Sequence, residues 1–219
     1  MSPRHYSQLY RQLRDLDPND HQRIIRTYEE KETEIGRLDV LEHFELTVYY
    51  SDALFATGAY RQHQMMVDLV IEACMRHNIH EVEGVTGDVF HHLLFRKAAS
   101  AFRLHQFSVS SHVARELIRM LPDRELNVRF LRASLFREQR RTLQRGRAVF
   151  IGCILLTAAV VLVNLLVFHS FYPRLVPYAQ GVIAVTFIGG VLALLGFYGY
   201  AYGKAHHTAF EFRRRVQNK

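Results

Sequence analysis

Residues 149–202 constrain this chain more than any other part of it. Residues 149–168 (VFIGCILLTAAVVLVNLLVF) are 20 positions without a charge. At about 1.5 Å of rise per residue, such a run spans a hydrocarbon core of roughly 30 Å. A second uncharged run covers residues 175–202 and is most apolar over 182–197. Both exceed the roughly 18 residues below which a buried globular helix is the better reading. The polar break at 169–174 has room only for a tight reversal. The sequence therefore predicts two antiparallel transmembrane helices, at about 149–168 and 178–200, in a hairpin over residues 146–204.

Charge sets the expected orientation, because Lys and Arg near the ends of spans stay in the cytoplasm. Arg137, Arg140, Arg141, Arg145 and Arg147 precede the first span, and Lys204, Arg213, Arg214, Arg215 and Lys219 follow the second. The connecting loop holds Arg174 alone. Both termini are expected in the cytoplasm, with a bacterial inner membrane as the preferred setting. Tyr172, Tyr178, Tyr198, Tyr200 and Tyr202 supply interfacial rings in a chain without Trp.

The net charge of +7 could suggest nucleic acid, but residues 1–136 carry 17 basic and 19 acidic side chains. Residues 137–219 carry the remaining 11 and 2. The excess lies beside the spans, where anionic headgroups attract each basic residue by about 1 kcal/mol. Nucleic acid is not an expected partner; anionic lipid is. Cys74 and Cys153 cannot meet if one lies in a span, so both read as free thiols in a reducing compartment. The first 18 residues are amphipathic and charged, so membrane insertion is expected to be directed by the hairpin.

The remaining 145 residues read as all-α. Apolar stripes at helical spacing cover about 4–16, 19–35, 38–57, 59–77, 88–105 and 107–121, and β-hairpin signals are lacking. Gly36 and Gly58 stand where helices end. Residues 78–87 read as a loop. After Pro122 nothing breaks the pattern until Gly146, so one helix is expected to run on into the first span with little or no break, and Gly146 is the only obvious place for a hinge. The expected domains are a cytoplasmic helical domain at 1–145, the hairpin at 146–204 and a basic cytoplasmic tail at 205–219.

Two helix pairs share turn chemistry. Aligning Gly58-Ala59-Tyr60 with His105-Gln106-Phe107 puts an aromatic residue at the start of each second helix. It also equates Ser51 with Ala98, while Ala114 and Pro122 supply a small residue and a terminating proline. This pattern resembles the tetratricopeptide repeat, a 34-residue helical hairpin, over about residues 41–123. It departs from that pattern at His105, His63 and Ser110 and in its 47-residue offset. A second resemblance is to the mitochondrial fission adaptors, six-helix two-repeat bundles with a single tail anchor. The tetratricopeptide resemblance implies a curved stack whose inner surface holds a peptide or helix of another protein. The implied groove residues are Glu45, Val48, Asp52 and Phe55, then His92, Phe95, Ala99, Phe102 and Arg103. The apolar ones among them read equally well as core.

No chemistry-bearing motif appears: G-x-S-x-G, the phosphate loop, HExxH and C-x-x-C are all absent. His77, His80, Glu81, Glu83, Asp88, His91 and His92 cluster in sequence but read as solvated or hydrogen-bonded. No metal site, cofactor or catalytic residue is expected, and the chain does not read as an enzyme. In the membrane, Asn164 is expected to hydrogen-bond to the second helix or another subunit. Gly189/Ala193 and Gly199/Gly203 have the small-xxx-small spacing of close helix contacts. The expected function is a membrane-anchored helical-repeat adaptor that recruits protein partners. The alternative is a small subunit of an oligomeric membrane complex, or a pore-former, acting through the hairpin.

Overall fold

The structure, a computed structural model, describes residues 6–82, 85, 87–168 and 176–218. The fold is all-α: ten α-helices and no strands among the described residues. Two of the helices, near the C-terminal end, are long and apolar enough to cross a membrane. The expected reversal at 169–174, together with Glu83, Gly84 and Thr86 of the predicted loop, lies outside the described residues. The chain divides into two units, residues 1–134 with 215–219 and residues 135–214.

In the first unit, side-chain caps fix where several helices begin, by satisfying amide protons that a first helical turn leaves unpaired. Ser7 caps α1 (Gln8–Arg14), accepting from the Tyr10 amide at 3.2 Å. Asp20 caps α2 (His21–Glu30), Asp39 caps α4 (Val40–Ala56) and Asp88 caps α6 (Val89–Arg103). The predicted helix over 19–35 is split at Lys31, so that α3 (Glu32–Ile35) is a separate turn. α5 (Tyr60–His77) ends on Asn78 in the left-handed conformation. α7 (Phe107–Met120) and α8 (Glu125–Glu138) follow.

The turns between α4 and α5 and between α6 and α7 share one hydrogen-bond pattern at an offset of 47 residues. Thr57, Gly58 and Ala59 donate their amides to Ala53, Phe55 and Leu54; Leu104, His105 and Gln106 donate theirs to Ser100, Phe102 and Ala101. Gly58 (φ 82°) and His105 (φ 61°) both occupy the left-handed region that L side chains avoid. Phe55 meets Tyr60 edge-on at 5.5 Å, and Phe102 meets Phe107 likewise at 5.3 Å. The small residues Ser51 and Ala98 are both buried where the helices approach.

Burial holds the unit together. Tyr10, Leu13, Tyr28, Ile35, Leu46, Tyr50 and Leu54 form one core cluster. Phe44, Val48, Val67, Val70, Ile71, Cys74, Val89 and Leu93 belong to another. Each fully buried aliphatic side chain contributes about 1.5–3 kcal/mol. Two stacked tyrosine pairs, Tyr6–Tyr10 at 4.4 Å and Tyr28–Tyr50 at 4.2 Å, belong to the N-terminal helices and α4. Asn127 is buried and donates to the Leu121 carbonyl and to the Leu117 carbonyl, which also accepts from the Leu121 amide.

In the second unit, α9 (Arg140–Val163) is separated from α8 by the single turn residue Gln139. The helix expected to run on into the first span with little or no break is interrupted by one residue, and that residue is Gln139 rather than Gly146. Gly146 lies buried mid-helix, where an added Cβ would stand 2.8 Å from the Phe197 Cβ. Its missing side chain serves close approach rather than bending. α9 passes into a π-helical turn at Asn164–Phe168. α10 (Val176–Gln217) runs 42 residues without a break, so the predicted basic tail is largely helical.

α9 and α10 are antiparallel, since Gly146 meets Phe197 whereas Cys153 meets Gly190. Arg147 Nε donates to the Tyr198 hydroxyl at 3.0 Å, and Gln139 to the Ala201 carbonyl at 3.4 Å, in the same register.

Candidate functional site

A cleft of about 790 Å³ opens in the first unit between α1, one face of α4, Arg96 of α6 and the segment holding Val82 and Val85. α1 is brought there by two polar contacts from α4. The Ser7 amide donates to Glu42 at 2.7 Å, and the Tyr10 hydroxyl donates to the buried Glu45. Helical spacing puts Glu45, Val48, Tyr49, Asp52 and Ala56 on one side of α4, and all five line the cleft. Arg11 and Arg14 line the opposite wall. The Arg14 guanidinium lies 5.4 Å from the centre of the Tyr49 ring, within cation–π range.

Asp52 is the hub of the charged network. It accepts from Arg96 Nε at 3.1 Å and from His92 Nε2 at 3.0 Å. The same guanidinium covers the Phe55 ring at 4.5 Å, and Phe55 in turn meets the His63 ring at 5.3 Å. His63 is wholly buried, and neither of its ring nitrogens has a hydrogen-bond partner. Burial pushes its pKa down to about 4; Asp52 and Asp68 oppose that shift, while Arg96 and His92 act with it. The ring is therefore neutral at physiological pH.

A carboxylate matched by a guanidinium and an imidazole is a fixed polar surface. Among the described residues, no three His, Cys, Asp or Glu side chains converge as metal ligands would. His80 instead bonds Asn78 at 3.1 Å. His91 is buried near Asn127, and burial, followed by Arg124, lowers its pKa. Cys74 donates to the Ile79 carbonyl, and burial raises its pKa.

Of the groove residues implied by the repeat, Glu45, Val48 and Asp52 line the cleft, although Val48 also belongs to the core. Phe55 and His92 lie just behind that wall. Phe95 and Phe102 do not face the cleft. They pack 5.6 and 5.7 Å from the Phe130 ring of α8. Arg103 is exposed at the last residue of α6 and stands apart from the cleft. Arg11, Arg14, Tyr49 and Arg96 were not singled out from sequence. Their one signal was spacing: Arg96 follows His92 by one helical turn, and Arg14 follows Arg11 by three residues.

Within the hairpin, Gly190 rather than Gly189, Gly199 or Gly203 faces α9. A Cβ on Gly190 would stand 2.7 Å from that of Cys153, whereas Cβ atoms on Gly189, Gly199 and Gly203 would meet nothing within 4 Å. At 100° per residue, adjacent Gly189 and Gly190 point in different directions. The buried residues of α10 are Ala179, Gly190, Ala201, Ala205 and Ala209, while Ala193 is half-buried. The Asn164 side-chain oxygen is shielded and has no hydrogen-bond partner among the described residues. Compared with family models, curated proteins and solved structures, the chain matches none.

Proposed function

We infer that this chain is a membrane-anchored helical-repeat adaptor. Its N-terminal domain faces the cytoplasm and holds a peptide or helix of a partner protein, and α9 and α10 cross the membrane, for which the bacterial inner membrane is the preferred setting. The resemblance to tetratricopeptide repeats belongs to this reading, supported by the matched turns at Gly58 and His105. The observation that carries it is the open cleft walled by the first helix of the first repeat, with Asp52, Arg96, Arg11 and Arg14 presenting fixed charge. Orientation rests on the basic residues that flank the spans.

The test is gentle detergent extraction followed by quantitative mass spectrometry of co-purifying proteins. Ala56 is exposed on the cleft wall, so Ala56→Arg obstructs the cleft at little cost to folding. Loss of specific co-purifying proteins in this variant, with Arg103→Glu unaffected, supports the reading. An identical protein set in both variants sinks it, as does digestion of the N-terminal domain by protease added outside sealed cells.

A second reading is favoured by the glycines of α10. Gly181, Gly189, Gly196, Gly199 and Gly203 each have open space where a side chain would stand. At 100° per residue they fall within one narrow sector of the helix, which suits close approach by another span. Under this reading the hairpin joins an oligomer or a larger membrane complex. Gly199→Leu would then reduce the native mass, while Ala56→Arg would leave it unchanged.

A further inference from the structure

α4 has a second working face. Opposite Glu45, Tyr49 and Asp52 it presents Val40, His43, Phe44 and Thr47, which line a separate groove of about 480 Å³ shared with α5. From α5 come Met66, Leu69, Val70, Ala73 and His77. Their spacing of three or four residues is that of one helix face, and twelve residues of α5 make a trough about 17 Å long. The trough is apolar and open: Leu69 is 59% exposed, Val40 49%, and neighbouring Met65 66%. Large exposed aliphatic side chains gathered along a groove, rather than scattered, mark a surface that is covered in use.

Charge on one wall says what covers it. Glu32 lines the groove beside Tyr28, within the run Glu29, Glu30, Lys31, Glu32 and Glu34. Glu30 is matched by Arg26 at 2.8 Å, and the Lys31 ammonium is turned to Gln12 of α1 at 2.6 Å. Glu29, Glu32 and Glu34 are left without an ion pair among the described residues, with Arg37 the other cation of the segment. The field of these carboxylates is felt by their neighbours. Burial raises the Tyr50 pKa, and Glu29, whose carboxylate accepts from that hydroxyl at 3.0 Å, and Glu32 raise it further.

We propose that the α4/α5 groove docks the apolar stripe of a basic amphipathic helix from a partner protein, with Glu32, which lines it, and the neighbouring Glu34 engaging its Lys or Arg residues. Three turns of groove accept apolar anchors at i, i+3 or i+4, and i+7, the helix-in-groove mode of recognition. The acidic wall sets polarity and orientation and speeds encounter. This surface lies on the far side of α4 from the cleft and does not depend on the adaptor reading.

The experiment uses the full chain in zwitterionic phosphatidylcholine nanodiscs, with empty discs as the blank. The probe is a fluorescein-labelled amphipathic peptide of leucine, alanine and lysine; a second probe carries glutamate at every lysine position. Fluorescence anisotropy is expected to show saturable binding of the basic peptide above the blank, at least tenfold tighter than the acidic one. Leu69→Ser with Val40→Ser, both at exposed positions, is expected to weaken binding at least tenfold. Glu32→Lys with Glu34→Lys is expected to reverse the preference between the two peptides. Equal binding of both peptides, binding no greater than the blank, or full binding by the Leu69/Val40 variant overturns the proposal. So does a fall in native mass in that variant, which would make a second copy of this chain the occupant.

Discussion

His63→Leu tests the energetics of the buried face of α5 through the pH dependence of stability. His63 is neutral when folded, with a pKa near 4, and in the unfolded chain it returns to about 6.5. The unfolded state therefore takes up a proton first as pH falls. Stability is lost progressively from about pH 6.5 down to about pH 4 and changes no further from this group below that. At 1.36 kcal/mol per unit the full loss is roughly 3 kcal/mol, of which about 2 kcal/mol is gone by pH 5.

Leucine is close to histidine in volume and has no polar atom to leave unpaired, so packing changes enter equally at both pH values and cancel in the difference. Urea titrations of the full chain in detergent micelles, followed by far-ultraviolet circular dichroism at pH 7 and pH 5, measure it. The stability lost between these pH values is expected to be about 2 kcal/mol smaller in His63→Leu than in the parent. His91, whose pKa is also lowered, contributes the same sign to both proteins and drops out. Equal losses in parent and variant would refute the assignment of this proton to His63.

Other perturbations probe the helix contacts. Gly190→Ile should open the hairpin, because its Cβ would meet Cys153 at 2.7 Å, whereas Gly189→Ile should not; mobility of the two variants in detergent gels separates them. Asn127→Ala removes the donor to Leu117 and Leu121 and should cost about 2 kcal/mol in urea titration. Gly58→Ala places a side chain at φ 82° and should cost about 1 kcal/mol, while His105→Gly should relieve strain at the equivalent turn. Opposite shifts in the two urea midpoints are expected; matching shifts would break the equivalence of the turns.

Much of the architecture could be read from residue patterns because its causes are local. The Gly58/His105 alignment located two turns that share one backbone conformation. What escaped depended on tertiary contact. Gly146 carried the signal of a hinge, yet a glycine serves close packing as readily as bending, and only the position of Phe197 decides between them. No Pro or Gly announces the break at Gln139. The direction of Gly189 and its neighbours hinges on a rotation of α10 that the register with α9 fixes.

The cleft was half visible in the same way. Glu45 and Asp52 follow from α4 alone, but Arg11 and Arg14 join them only because Tyr10 and Ser7 dock a seven-residue helix. Phe95 and Phe102, apolar and helically spaced, could equally have been surface or core until α8 supplied Phe130.

The length of α10 has a mechanical consequence. Forty-two residues in one uninterrupted helix form a rod of about 63 Å, roughly twice the thickness of a hydrocarbon core. A rod of that length pivoting by about 10° at one end sweeps its other end through about 11 Å. In the proposed membrane setting, small changes in how the apolar half leans, of the kind that bilayer thickness imposes, are thereby magnified into side-chain-scale displacements at the arginine-rich end.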